Sequence, residues 1–294
     1  MFSVPILEML NEEYEVKLVV TQPDKLGKRN KLQASPVKLK ALELGLEVFQ
    51  PTSIKDDYQK ILDTSANIMI TAAYGQFIPS KLLNSFKFHL NVHGSLLPKH
   101  RGGAPIQRAI MNGDKVTGIT IMEMIKKMDA GKMYAKEEVK ITDEDTNETM
   151  FNKLSLVGAK LLKETLPDII SGKLVGIEQN ESEATFSYNL EASEEIIDFN
   201  KNSIEIFNQV RGLAINPGAY FTFNDEKFKV YKTKVLDYQG NELPGTILSL
   251  NKEMKIKTKD GAISILEIKP AGKNILDIKS FLNGQRKFKE NDII

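Results

Sequence analysis

The sequence has no cysteine and no tryptophan, and its three histidines (His89, His93 and His100) fall within twelve positions of one another. Without cysteine the chain can form neither disulfides nor thiolate metal sites, which fits a reducing cytoplasm without requiring one. No carboxylate-rich helix accompanies the histidines, so no metal is expected. Apolar runs stay short of the ~20 residues a membrane-spanning helix needs. A basic start leading into an apolar segment is also missing, so neither an anchor nor a secretory leader is expected. Internal repeats and low-complexity segments are absent as well.

What is present is a globular composition, 41% hydrophobic and 27% charged over 294 residues, enough for roughly two domains with a core in each. The net charge of +1 conceals an uneven distribution. Between Lys25 and Leu42 lie six basic residues (Lys25, Lys28, Arg29, Lys31, Lys38, Lys40) and no acidic one. Between Lys227 and Lys289 fourteen basic residues face six acidic ones. Two separated basic regions can hold a polyanion, although such clusters more often only solvate a surface.

The first part of the chain alternates apolar runs with helical patterns. EVKLVVTQ, NIMITAAYG, FHLNVHGS and TGITIMEM read as strands, and 36–44, 54–63, 105–112 and the long stretch ending at Gly172 read as helices. This alternation predicts an α/β fold with a doubly wound, mainly parallel sheet, whose ligands bind beyond the carboxyl ends of the strands. A polar stretch at 173–193 reads as a linker. After a helix at 203–213, short strands separated by Asn224-Asp225, Gly240-Asn241 and Asp260-Gly261 predict a small β-barrel. The expected division is therefore 1–172, linker 173–193 and 194–294.

The most specific chemistry lies in NVHGSLLPKHRGGAP at 91–105, with Asp129 following in MDAGK. Alternate residues of a strand share a face, so Asn91 and His93 point the same way. An amide donor beside an imidazole can stabilise an oxyanion and move a proton at one carbonyl. A carboxylate near an imidazole favours its charged form and fixes its tautomer. Gly102 and Gly103 let backbone approach a ligand, and Pro105 suits the first helical position. The set suits acyl or formyl transfer. Each member alone has a blander reading: a loop-bonded Asn, a satisfied core His and an ordinary turn Asp. Ser95 lacks the Gly-x-Ser-x-Gly surround of a nucleophile.

Asn91-x-His93, SLLP, Arg101-Gly102 and Asp129-x-Gly131 resemble the folate-dependent formyltransferases. With TQPD at 21–24, SPVK at 35–38, AAYGQFIP at 72–79, GAPIQRAI at 103–110 and PAGK at 270–273, the chain is similar to the methionyl-tRNA formyltransferase family from Phe2 almost to its end. The resemblance implies a Rossmann-like formyltransferase domain followed by an OB-like barrel that binds tRNA. It implies transfer of the formyl group of 10-formyltetrahydrofolate to methionyl initiator tRNA by a cytoplasmic monomer, without metal, through Asn91, His93 and Asp129. For the folate it implies Tyr74, Gly75, Phe77, Ser95, Leu96, Leu97 and Pro98. It also implies the loop Asp143, Glu144 and Asp145, whose other reading is a helix N-cap. For the tRNA it implies Lys25, Lys28, Arg29 and Lys31, with Lys227, Lys229, Lys255 and Lys257 as phosphate contacts or simply a solvated face. Purine-nucleotide or sugar-nucleotide formyltransferases, a hydrolase, or a catalytically dead RNA-binding module are the rivals, and the two basic regions and the complete triad weigh against them. In two respects the chain departs from the family. RGLAINPGAY at 211–220 lacks the usual Trp. FSVPILEMLNE, which in the family follows a strand and a Gly-Thr-Pro turn, here follows Met1 directly, so a central strand is expected to be missing and its two neighbours left with unpaired backbone.

Overall fold

Proline placement starts the first helices. Pro5 sits in the first turn of α1 (Val4–Glu13), and Pro36 opens α2 (Pro36–Glu43), where the Ser35 hydroxyl caps the Lys38 N–H at 3.3 Å. In this computed structural model residues 2–26 and 32–294 are described. Contacts divide the chain into two units, one of Met1–Pro105, Val116–Lys140 and Phe151–Tyr188, the other of Ile106–Lys115, Ile141–Met150 and Asn189–Ile294.

In the first unit β1 (Val19–Val20) precedes β2 (Lys25–Leu26) and β3 (Leu32–Gln33), which pair antiparallel with each other. There follow β4 (Val48–Phe49), α3 (Gln59–Asp63), β5 (Ile68–Thr71), α4 (Ser80–Leu83) and β6 (Phe88–His93). Helix α5 (Pro105–Met111), which belongs to the second unit from Ile106 on, leads to β7 (Val116–Glu123), β8 (Met133–Lys140) and the long α6 (Asn147–Ser171), which belongs to the first unit from Phe151 on. β1 pairs parallel with β4, and β5 parallel with β6; β7 and β8 extend the second sheet antiparallel, in the order β5-β6-β7-β8. Both inward faces are apolar, with Leu90, Val92, Ile119 and Ile121 buried. Helix α6 packs closely there: a Cβ on Gly158 would lie 2.9 Å from Val92 Cγ1.

The sheet is interrupted. Among the described residues β1 and β5 each pair on one side only, and a cavity of about 890 Å³ is lined by Val20, Ile68, Ile70, Phe2 ahead of α1 and, from α6, Phe151 and Leu166. The loops leaving the two strands nevertheless meet, since Gln22 Nε2 donates to the Tyr74 carbonyl at 2.9 Å.

The second unit begins its folded core with α7 (Ser203–Leu213), where Asn202 and Glu205 form a reciprocal capping box. Strands β9 (Ala219–Phe223), β10 (Glu226–Leu236), β11 (Ile247–Ser249), β12 (Met254–Lys257), β13 (Ala262–Pro270) and β14 (Leu276–Asp277) precede α8 (Ile278–Gly284). The antiparallel sheet, ordered β11-β12-β13-β10-β9 with β14 on β13, makes a half-barrel. It encloses Ile206, Val210, Phe221, Phe228, Ile263 and Phe288. A register shift at Val230–Thr233 marks a bulge that bends β10. Among the described residues no helix is long and apolar enough to cross a membrane.

Candidate active site

β6 presents Asn91 and His93 on one face. Thr71, its neighbour on β5, donates its hydroxyl to Asn91 Oδ1 at 2.9 Å, which leaves the amide N–H₂ as the group offered elsewhere. His93 is only 5% exposed. Its Nε2 lies 3.0 Å from the His100 carbonyl, and a carbonyl only accepts, so Nε2 carries the proton. Nδ1 then faces Asp129 Oδ2 at 3.8 Å, beyond direct hydrogen-bond length but within ion-pair range. Active-site contacts of this kind often shorten when substrate binds.

Asp129 is held where it is by backbone. It adopts φ +48°, a left-handed conformation that strains a non-glycine residue, in the turn joining β7 to β8. The Gly102 N–H donates to Asp129 Oδ2 at 2.8 Å. Two residues on, Gly131 admits no side chain, because a Cβ would lie 2.0 Å from the Glu123 carbonyl oxygen. That close approach is the reason for glycine in the Asp-x-Gly motif.

The loop 94–104 is fastened at every turn. Ser95 Oγ donates to the Lys99 carbonyl at 2.7 Å, Thr120 Oγ1 donates to the Ser95 carbonyl at 2.7 Å, and Leu97 N–H donates to Thr120 Oγ1 at 3.1 Å. Lys136 Nζ donates to the Leu97 carbonyl, and the Leu97–Pro98 bond is cis. Ser95, Leu97 and Pro98 are buried inside this packing. The Ser95 hydroxyl braces the loop. Leu96 is half-buried.

Two residues that sequence reasoning did not place in the site hold it together. Arg101 is wholly buried; its Nε and Nη2 donate to Gln179 Oε1 at 3.0 and 2.8 Å, and its Nη1 and Nη2 donate to the Glu181 carboxylate at 3.1 and 3.0 Å. The amide of Gln179 in turn donates to the carbonyls of Asp129 and Gly131, both at 2.8 Å. Hydrogen bonds from Arg101 and then from Lys127 push the Glu181 carboxyl down to about 2. Arg101 appeared in the sequence only as half of a motif. Gln179 lies in a stretch that reads as a linker, and nothing local marks it.

The remaining expected folate residues are scattered. Tyr74 and Gly75 follow β5; the Tyr74 hydroxyl is buried without a partner among the described residues, and burial pushes its phenol up. Phe77 is 63% exposed. Asp143, Glu144 and Asp145 belong to the second unit. Asp143 and Glu144 are exposed, but Asp145 is buried and spent on structure. Its Oδ2 accepts from Thr142 N and Oγ1 at 2.9 and 2.8 Å, its Oδ1 from Thr149 at 2.9 Å, and its carbonyl from Arg211 at 3.1 Å. The Asp145 side chain thus fastens its own turn.

Of the expected tRNA contacts, Lys25 is exposed on β2, while Lys28, Arg29 and Lys31 lie outside the described residues. Lys227 places Nζ 3.3 Å from the centre of the Tyr220 ring, Lys229 donates to the Pro217 carbonyl, and Lys255 lies 3.6 Å from Glu253. Lys257 contradicts its assignment. It is 6% exposed and its ammonium donates to the carbonyls of Thr258 at 2.8 Å and Gly261 at 3.4 Å, because the strand ends there and the side chain folds into the turn. No group of three or more His, Asp or Glu side chains suited to a metal occurs among the described residues.

Comparison with known proteins decides the family. Residues 5–166 match the formyl transferase model and residues 189–286 the formyl transferase C-terminal domain model. The methionyl-tRNA formyltransferase of Lactococcus lactis subsp. lactis is 48% identical, over 96% of this chain and 92% of that protein. The chain belongs to the methionyl-tRNA formyltransferase family. The Streptococcus pneumoniae serotype 19F enzyme of the same name is 45% identical over 96% of this chain and 92% of its own length. Among solved structures, an N-formyltransferase from Helicobacter canadensis, in complex with folinic acid and dTDP-3-aminofucose, aligns with a TM-score of 0.67. At 19% identity over 90% of this chain and 95% of that one, it attests the fold alone.

Proposed function

We propose that this chain transfers the formyl group of 10-formyltetrahydrofolate to the α-amino group of methionyl initiator tRNA, for translation initiation. The observation that carries the reading is the convergence of Asn91, His93 and Asp129 in a chain 48% identical to a methionyl-tRNA formyltransferase. The donor set fits a formyl carbon: a neutral amide, an imidazole and a carboxylate, with Asn91 Oδ1 already engaged by Thr71. The folate supplies the activated one-carbon unit, and no metal is invoked.

The amine nitrogen attacks the formyl carbon, and the Asn91 amide donates to the oxygen on which negative charge develops. His93, its Nδ1 facing Asp129, takes the proton the amine must lose. The same proton then leaves with the folate nitrogen as the old C–N bond breaks. A positioned donor or proton carrier of this kind contributes on the order of 10²–10³ in rate. Tyr74, Gly75, Phe77, Ser95, Leu96, Leu97, Pro98, Asp143, Glu144 and Asp145 are the candidates for the folate. Lys25, Lys28, Arg29, Lys31, Lys227, Lys229 and Lys255 are the candidates for RNA phosphates. We assign the work to a cytoplasmic monomer.

The test is formyl transfer with charged initiator tRNA, run for the parent and for Asn91→Ala and His93→Ala. Both variants should lose about 10²-fold or more while keeping their affinity for the RNA. Activity within about tenfold of the parent in both would remove the catalytic assignment.

A further inference from the structure

Two aromatic side chains stand out of the surface beside the site with no role in the chemistry above. Phe186 and Tyr188 are 50% and 63% exposed, and their rings stack at 5.8 Å between centroids with 6° between planes. Large rings exposed together are uncommon on a surface that only needs to be wetted.

Their backbone is fixed to the site. Thr185 N–H donates to the Pro98 carbonyl, Arg101 N–H to the Thr185 carbonyl at 2.9 Å, Ser187 N–H to the Arg101 carbonyl at 2.7 Å, and Ala104 N–H to the Ser187 carbonyl at 3.0 Å. The segment thus runs as an added strand along the loop whose Gly102 N–H bonds Asp129, and a Cβ on Gly102 would lie 2.6 Å from the Ser187 carbonyl oxygen. Alternation does the rest. Ser187 turns inward, buried, with its hydroxyl 2.7 Å from His100 Nδ1, and its two neighbours turn outward together. Lys99 and Lys126, from the two loops that carry the site, are exposed.

We propose that Phe186 and Tyr188 form a stacking platform for unpaired bases at the 3′ acceptor end of the tRNA, holding that end while its aminoacyl group reaches Asn91 and His93. This rests on the function proposed above and adds the subsite that seats the nucleic acid. A single-stranded end exposes the faces of its bases, and aromatic side chains bind those faces without needing a particular sequence. Exposed cations on those two loops suit the phosphates between the bases.

Because the chain has no tryptophan, Phe186→Trp and Tyr188→Trp each create a single reporter at the platform. Intact initiator tRNA should quench that fluorescence, and tRNA trimmed of its single-stranded 3′ end should not. In parallel, Phe186→Ala/Tyr188→Ala should raise the KM for charged tRNA about 5- to 150-fold for each base that no longer stacks. Folate affinity and melting temperature should stay as in the parent. The salt slope of tRNA binding should not change, since stacking releases no counterions. Phe186→Leu/Tyr188→Leu should behave like the alanine pair if bases are stacked, and like the parent if an apolar protein surface docks there. Quenching by trimmed tRNA, an unchanged KM in the alanine pair, or retention by the leucine pair each overturns the platform. Transfer by the parent enzyme is scored separately, so failure of the proposed function shows as inactivity of the unmodified chain.

Discussion

Replacing Gln179 should disturb the active site more than its place in a polar connecting stretch suggests. The side chain is 8% exposed and makes four hydrogen bonds, two accepted from the wholly buried Arg101 and two donated to the carbonyls of Asp129 and Gly131. Gln179→Leu keeps the approximate volume and removes all four. The two neutral bonds contribute about 1 kcal/mol each, and the two from guanidinium about 1.5–3 each before relaxation. Glu181 still pairs with Arg101 and water can reach part of the gap, so a net loss of about 3–5 kcal/mol is expected. That is a large part of a typical stability of roughly 5–15 kcal/mol. At about 2–4 °C per kcal/mol for a domain of this size, calorimetry should show a melting temperature lower by on the order of 10 °C. With its carbonyl released, the Asp129 turn loses registry, and displacement of about 1 Å costs about 10²-fold in rate. Measured at a temperature where both proteins are folded, kcat should fall while KM for folate holds. Gln179→Glu, which keeps the acceptor for Arg101 but not the donor, should recover stability more than kcat. A melting point within 2 °C of the parent and kcat within about threefold would refute the bracing role.

Gly131→Ala should behave similarly for a different reason: its Cβ would lie 2.0 Å from a backbone oxygen, and forcing it in costs about 1–3 kcal/mol or more. A fully active, equally stable variant would mean that the turn is softer than its packing implies. Glu181, ordinarily near 4.5, titrates near about 2 in the folded protein. Its contribution is therefore complete above about pH 4.5 and lost as pH falls toward about 2; the stability difference between parent and Glu181→Gln in denaturant titrations should shrink over that window, and a flat difference would exclude the pairing. Neutralising Lys28, Arg29 and Lys31 together should lower the log–log salt slope of tRNA binding by about 0.7–0.9 for each phosphate they would otherwise neutralise, and an unaltered slope would return them to plain solvation.

Much of the site was legible because its chemistry and its periodicity coincide. FHLNVH places two polar side chains on alternate positions of an otherwise apolar strand, and the Asp-x-Gly turn marks its own close approach. β8 was not read at all: half of MYAKEEVK is charged, its side chains lie half-buried or exposed at the sheet edge, and no apolar alternation announces it. Lys257 was misread because it is the last residue of β12, where the side chain folds into the following turn and is buried instead of continuing the exposed face. The fastening role of Asp145 was not legible, because a carboxylate in a loop has the same appearance whether it holds a ligand or bonds the loop's own N–H and hydroxyl groups. Gln179 shows the limit of local reading, since its partners lie 78 and 48–50 residues away and its neighbours carry no pattern.

The interruption of the sheet and the integrity of the site are coupled at one residue. Asn91, His93, Asp129 and the 179–187 brace do not line the cavity between β1 and β5, so the catalytic geometry does not depend directly on what fills it. Thr71 belongs to both. It is the last residue of β5, it lines the cavity, and its hydroxyl fixes the amide of Asn91. A displacement of β5 would therefore act on the candidate site first through the orientation of the Asn91 amide, while the Gly102 N–H and the Gln179 amide hold Asp129 through contacts of their own.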